Sequence, residues 1–246
     1  MTVKNFPNGI LLELIIIFSH HLILQRVSCL PKLNHLKVWY INNSSGTSLS
    51  YIQFGLSTNK IVPADFDGDR KAKIAGFRPS ISIWFILSFD TTTSTATQFG
   101  VSEDKPVAAD YDGDGKSEIT VYWSSLGVRF ILSQTSSQFS AMRFGTPNNK
   151  SVPSDYDDDG RTDVAVWCPA DSNWYFQLSG SGYTVTKFGL STDHPTRADY
   201  DGDGKTDIAV YRPSEGNWYK LRSRDGFSNT RFGLDADRPM PNAFVY

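Results

Sequence analysis

Histidine and cysteine are scarce: the 246 residues hold four of the first and two of the second. Three of the histidines, His20, His21 and His35, lie in the N-terminal segment, and no nucleophile–base–acid triad emerges from what is left. Cys29 and Cys168 are too few for a disulfide framework. Cys168 stands where other repeats have Arg78, Ser124 or Arg212, so a structural bridge between the two is not expected. Charge of one sign is also lacking: the net charge is -2, which leaves no basic field for nucleic acid. No Gly-rich phosphate loop is present, and no helical period appears after residue 37. The longest apolar run, Ile10–Phe18 extended to Leu24, is interrupted by Glu13 and the two histidines. That is poor material for a membrane span, which needs about 20 mostly apolar residues.

What the chain does have is aromatics, 13% of its residues, and aspartate in one recurrent arrangement. The fullest copy is Asp199-Tyr200-Asp201-Gly202-Asp203-Gly204-Lys205-Thr206-Asp207. Carboxylates at positions 1, 3, 5 and 9 of a Gly-punctuated loop suit a hard divalent cation, and calcium takes six to eight oxygen ligands in forgiving geometry. The main-chain carbonyl of Lys205, at position 7, is a natural fifth ligand. Asp110, Asp112, Asp114 and Glu118 repeat the pattern with Lys116 at position 7. Asp155, Asp157, Asp159 and Asp163 repeat it with Arg161. The first copy keeps Asp65, Asp67 and Asp69 but has Arg70 for the glycine and Lys73 for the last acid. It is expected to be weak or empty, with the Lys73 ammonium where an ion would sit. An EF-hand is excluded by Val121, Val166 and Val210 at position 12, where a bidentate Glu is required, and by flanks that read as strands. The loops hold 16 of the 26 acidic residues, so the chain outside them is net basic.

The first aspartates fall at 65, 110, 155 and 199, and Phe-Gly pairs recur at Phe54, Phe99, Phe144, Phe188 and Phe232. A period of about 45 with several short strands is the mark of propeller blades. Each unit reads as a strand A ending at the acidic loop, a strand B such as Ile208–Tyr211, an aromatic strand C such as Trp218-Tyr219, and a strand D ending at Phe-Gly. Five C and five D strands predict an all-β fold, a β-propeller of five blades with four antiparallel strands each. Its ring would be closed by the C-terminal segment Pro239–Tyr246, with the missing strand B near Gln25–Pro31. Residues 38–246 form the propeller. Residues 1–37 stand apart as a signal or anchor, a mis-called start, or a strand.

Phe-Gly followed by the Asp-x-Asp-Gly-Asp-Gly-x-x-Asp loop resembles the FG-GAP/VCBS repeats of integrin α-subunits and secreted bacterial proteins. Tyr211-Arg212-Pro213-Ser214 with Asn217-Trp218-Tyr219 is similar to the bacterial type. The resemblance covers residues 38–246 and implies a calcium-stabilised propeller with about three ions, acting outside the cell or at its surface as a non-enzymatic binding or adhesion module. Its ligands would be the acidic residues of the three intact loops.

Two further patterns carry expectations. Lys60, Lys105, Lys150, His194 and Arg238 follow Asn59, Asp104, Asn149, Asp193 and Asp237 before each strand A. They read as an Asx turn with a solvated cation, or as a basic rim for an acidic partner or polysaccharide. The strand C residues Trp39, Trp84, Trp174 and Trp218, with Arg78 and Arg212, read as packing between blades, or as lectin-like glycan pockets. The expected partner is an extracellular protein or glycan, with no nucleic acid, membrane contact only through the N-terminal segment, and a monomeric chain. A propeller fragment of a larger secreted hydrolase is the other alternative, although Glu215 and Asp171 show no recurring partner for glycoside cleavage. Asn42, Asn43 and Asn149 fit N-x-Ser sequons.

Overall fold

The structure is a computed structural model and describes residues 21–26, 36–43, 49–88, 93–134, 138–235, 237 and 239. The chain divides into two compact units, Met1–Thr58 and Asn59–Tyr246. In the first, β1 (His21–Arg26), β2 (Leu36–Asn43) and β3 (Leu49–Leu56) form one antiparallel sheet in that order. The Trp39 indole is buried and donates to the Phe54 carbonyl at 3.0 Å.

The second unit consists of four antiparallel sheets of four strands, each a blade. Blade one holds β4 (Lys60–Ile61), β5 (Ile74–Arg78), β6 (Ile83–Leu87) and β7 (Ser94–Gln98). Blade two holds β8 (Lys105–Pro106), β9 (Ile119–Trp123), β10 (Val128–Leu132) and β11 (Phe139–Arg143). Blade three runs through β12 (Lys150–Ser151), β13 (Val164–Cys168), β14 (Asn173–Leu178) and β15 (Gly182–Lys187). Blade four runs through β16 (His194–Ala198), β17 (Asp207–Arg212), β18 (Asn217–Arg222) and β19 (Gly226–Arg231). The only helical turns among the described residues are the 3-10 turns Pro79–Ile81 and Pro213–Glu215.

Four blades of four strands correct the expectation of five. No acidic loop precedes Val38, so nothing supplies an A–B hairpin there, and β1 pairs directly with β2. The expected closing segment Pro239–Tyr246 lies almost wholly outside the described residues, as do the apolar run Ile10–Phe18, Arg238 and Cys29. Cys168 is a free thiol at the end of β13. β9 ends at Trp123, so Trp123, not Ser124, is its repeat equivalent.

The Phe-Gly motif is explained by geometry on both of its residues. The carbonyl of the Phe accepts the strand C indole: Trp84 to Phe99 at 3.2 Å, Trp174 to Phe188 at 3.1 Å, Trp218 to Phe232 at 2.7 Å. The Gly takes positive φ and lies against strand B of the next blade. A Cβ on Gly100, at φ +96°, would sit 2.9 Å from Val121 Cγ1. Trp84 and Trp174 are fully buried, which favours packing between blades for these two. One core cluster joins Phe77, Trp84 and Val121 of blades one and two, and another joins Trp167, Trp174 and Val210 of blades three and four.

Blade two departs from this pattern. Arg129 replaces the tryptophan, is fully buried, and donates through Nη1 to the Phe144 carbonyl at 3.3 Å. Its Nη2 reaches Ser151 Oγ at 2.9 Å and the Ala165 carbonyl at 2.8 Å in blade three. The guanidinium thus reproduces the indole's bond and stitches a second blade.

Candidate metal centres and outer grooves

Each acidic loop is organised by its first aspartate. Asp110 Oδ1 accepts the Gly113 N–H at 2.7 Å and Oδ2 accepts that of Gly115 at 2.9 Å. Asp155 does the same with Asp158 and Gly160, and Asp199 with Gly202 and Gly204. Position 5 accepts the N–H of position 7, as Asp203 does from Lys205 at 2.9 Å, and so turns the position 7 backbone. The position 9 acid accepts the N–H of position 2: Glu118 from Tyr111, Asp163 from Tyr156, Asp207 from Tyr200. These bonds close the loop around position 3.

Carboxylate oxygens gather within 4.8 Å of one another in four groups, namely Asp110, Asp112, Asp114 and Glu118; Asp155, Asp157 and Asp163; Asp199, Asp201 and Asp203; and Asp65, Asp67 and Asp69. Asp159 and Asp207 fall outside these tight groups, although both lie in the same loops. In the third and fourth loops, Asp157 Oδ1 and Asp201 Oδ1 are buried with no hydrogen-bond partner. A buried anionic oxygen without a donor is costly, and a divalent cation at the loop centre is the group that would satisfy it. Burial, with repulsion from Asp112, Asp110 and Asp114, pushes the Glu118 carboxyl up to about 7. Burial, with repulsion from Asp157 and Asp155, pushes Asp163 up to about 6. The donor set is all oxygen and fits a hard cation.

The first loop is different. Lys73 is buried, and its Nζ lies 2.7 Å from Asp67 Oδ1, 4.0 Å from Asp65 Oδ1 and in contact with Asp69 Oδ1. Burial works against its charge, but the bonds to Asp67 and Asp69 outweigh that and hold its pKa above the usual value. An ammonium thus stands among these three carboxylates.

Two supports for the loops were not legible in the sequence. The C–D turns brace them: Ser179 N–H donates to Asp163 Oδ1 at 2.7 Å, and Ser223 N–H to Asp207 Oδ1 at 2.7 Å. The loops also bond to one another. The N–H groups of Ser117, Thr162 and Thr206, each at position 8, donate to the carbonyls of Asp65, Asp110 and Asp155 in the preceding blade at 2.6, 2.6 and 2.8 Å. A signal for this existed, a Ser or Thr at position 8 of every intact loop.

The opposite ends of the blades hold the Asx turns. Asp104 Oδ2 accepts Val101 N–H and Asp193 Oδ2 accepts Leu190 N–H. Lys60 and Lys150 donate across to the carbonyls of Asp104 and Asp193 in the next blade, at 2.5 and 3.3 Å. These two lysines stitch blades together and are not solvated members of a free rim.

Arg212 binds Asp193 through Nε at 2.9 Å and Glu215 through Nη1 at 3.2 Å, and lies 4.3 Å from the Tyr219 ring centroid. Glu215 and Asp171 each accept from a tyrosine four residues on: the Tyr219 hydroxyl donates to Glu215, and that of Tyr175 to Asp171 at 2.6 Å. Arg197 of β16, where other repeats have Pro63, Ala108 or Pro153, went unread in the sequence. Its Nε donates to the Pro153 carbonyl of blade three at 2.5 Å.

Among the described residues, no helix is long and apolar enough to cross a membrane. No curated protein gives a significant sequence match. Among solved structures, selenomethionine-substituted virginiamycin B lyase from Staphylococcus aureus is similar with a TM-score of 0.53 and 8% identity, over 94% of this chain and 71% of the other. A streptogramin B lyase gives 0.52 and 8%, over 92% and 76%. A catalytically inactive virginiamycin B lyase from S. aureus with quinupristin gives 0.51 and 5%, over 91% and 76%. At such identities the likeness is one of fold. Residues 155–210, the third acidic loop through β17, match the FG-GAP-like repeat family. With that match and the repeated four-stranded blades, the unit Asn59–Tyr246 is a β-propeller that carries an FG-GAP-like repeat.

Proposed function

We propose that this chain is a calcium-stabilised, non-enzymatic binding module that works outside the cell or at its surface. The observation that carries the reading is the pair of partnerless buried oxygens, Asp157 Oδ1 and Asp201 Oδ1, at the centres of loops already folded around them. Calcium would be held by Asp110, Asp112, Asp114 and Glu118, by Asp155, Asp157, Asp159 and Asp163, and by Asp199, Asp201, Asp203 and Asp207, with the carbonyls of Lys116, Arg161 and Lys205. Its contribution is positive charge and multiple oxygen coordination. The position 8 bonds between loops would carry that rigidity from blade to blade. Extracellular calcium modules bind at about 10⁻⁴–10⁻³ M, so such loops fill outside a cell and stay largely empty in cytosol. The acidic groups that crowd together are those of the loops, where cations claim them, and this supports binding over catalysis. The partner is an extracellular protein or glycan, met by a monomer.

Isothermal titration of the metal-free chain with calcium tests the reading. Three binding events are expected, with magnesium a poor competitor. A flat titration up to several times 10⁻³ M calcium, the weak end of this range, would sink it.

A further inference from the structure

The B–C turns of blades three and four carry a cluster that blades one and two lack. In blade three the Tyr175 hydroxyl donates to Asp171 Oδ2 at 2.6 Å and accepts from Asn173 Nδ2 at 3.3 Å. In blade four the Tyr219 hydroxyl donates to Glu215 and accepts from Asn217 Nδ2 at 3.2 Å. The equivalent positions are Leu126, Val128 and Phe130 in blade two and Ile81, Ile83 and Phe85 in blade one. All four hairpins keep the same register, from Arg78↔Ile83 to Arg212↔Asn217. The turn therefore does not need the polar cluster, and two blades carry it for another reason.

Each cluster shares its sheet face with an exposed aromatic ring of the edge strand. Tyr183 is 62% exposed and Phe227 59%, although both are large. Each is braced edge-on by the Phe-Gly phenylalanine of the preceding blade: Tyr183 by Phe144 and Phe227 by Phe188, both with ring centroids 6.4 Å apart. Phe227 also stacks on Tyr219 at 6.4 Å. Leaving such a ring largely in water forgoes the free energy of burying it. Four residues further along each edge strand stands a cation, Lys187 or Arg231, across from Asn173 or Asn217. Ring and cation thus share one strand face, about 14 Å apart at 3.4 Å per residue.

We infer that these two outer sheet faces are a pair of carbohydrate-binding sites for a neutral, hydroxyl-rich polysaccharide. The inference rests on the binding-module reading above and gives that module its ligand class. A rigid ring with one open face suits the apolar face of a sugar. A carboxylate, an amide and a phenol in one hydrogen-bonded row suit neighbouring hydroxyls, which both donate and accept. Asn217 Oδ1 is buried with no partner and needs a donor. Asp171 is held down to about 2, chiefly by the Tyr175 hydroxyl, so it stays an acceptor at any ordinary pH. In blade three the fixed Asp171 carboxylate disfavours an acidic chain, whereas in blade four Glu215 is paired with Arg212. Two copies one repeat apart fit a polymer of repeating units, which gains from holding both.

The test uses the full chain in millimolar calcium against immobilised cellulose, mannan, dextran, alginate and polygalacturonate. Binding of at least one neutral polymer is expected. F227A and Y183A should each weaken it, and the double variant should lose about a hundredfold with an unchanged melting temperature. Y175F with Y219F, which keep the rings, should show an intermediate loss. Wild-type affinity in the double variant places the site elsewhere and overturns the inference while the module reading stands. Binding to acidic polymers alone, or to none of the five, also overturns it. Shortened sugar chains in the supernatant would instead overturn the non-enzymatic reading.

Discussion

Removal of calcium should invert the pH dependence of stability. Glu118 has its folded midpoint at about 7 against an ordinary 4.5, and Asp163 at about 6 against 3.8, first because of burial and then because of neighbouring acids. Both groups hold protons more tightly folded than unfolded. Stability of the metal-free fold must therefore fall as pH rises through roughly 4 to 7, and the penalty is complete above about 7. At about 1.4 kcal/mol per pH unit each carboxylate costs roughly 3 kcal/mol when ionised. If the loops relax enough to remove two thirds of the combined cost, roughly 2 kcal/mol remains. For a chain of this size that is roughly 4–8 °C. Scanning calorimetry in EDTA should show the melting temperature rising by this much from pH 8 to pH 5. In millimolar calcium the trend should reverse, because protons then compete with the ion. A metal-free protein whose melting temperature is flat, or falls on acidification, would refute the reasoning from carboxylate crowding.

Asp201→Ala should remove one of the three calcium binding events in a titration, whereas Asp67→Ala should leave all three, because Lys73 already neutralises that loop. Lys73→Ala strands three carboxylates. Breaking a buried pair costs about 3–5 kcal/mol, and the partial exposure of Asp67 and Asp69 should screen this to about 2 kcal/mol by urea unfolding in EDTA, with partial rescue by added calcium. Trp174→Ala should cost about 3–5 kcal/mol in the same assay, since it empties a fully buried site and removes one of the two indole bonds to the Phe188 carbonyl. Arg129→Ala should approach that cost by emptying a buried site and removing hydrogen bonds to Phe144, Ser151 and Ala165 of blades two and three.

The repeat itself was legible because its causes are local. Alternating apolar residues make strands, glycine permits the tight loop, and odd-numbered aspartates converge wherever such a loop closes. The ammonium among the first loop's carboxylates was also legible from one sequence position, because Lys73 stands where the other loops have an acid. Blade number was misjudged because strand count along a chain does not decide which strands pair: β2 and β3 had the right composition, yet took β1 as partner and made a three-stranded sheet. The position 8 bonds between loops and the bonds of Arg129 to Ser151 and Ala165 depend on blades being neighbours, which no single repeat can reveal. The seryl turns and the tyrosine partners of Asp171 and Glu215 lie within one blade, and their spacing in the sequence was not enough to say that the turn folds one onto the other. Residues within one loop or hairpin are brought together by backbone geometry alone, and the amino-acid order determined them. Contacts between blades are made by packing over about 45 residues of intervening chain, and only the tertiary structure decided those.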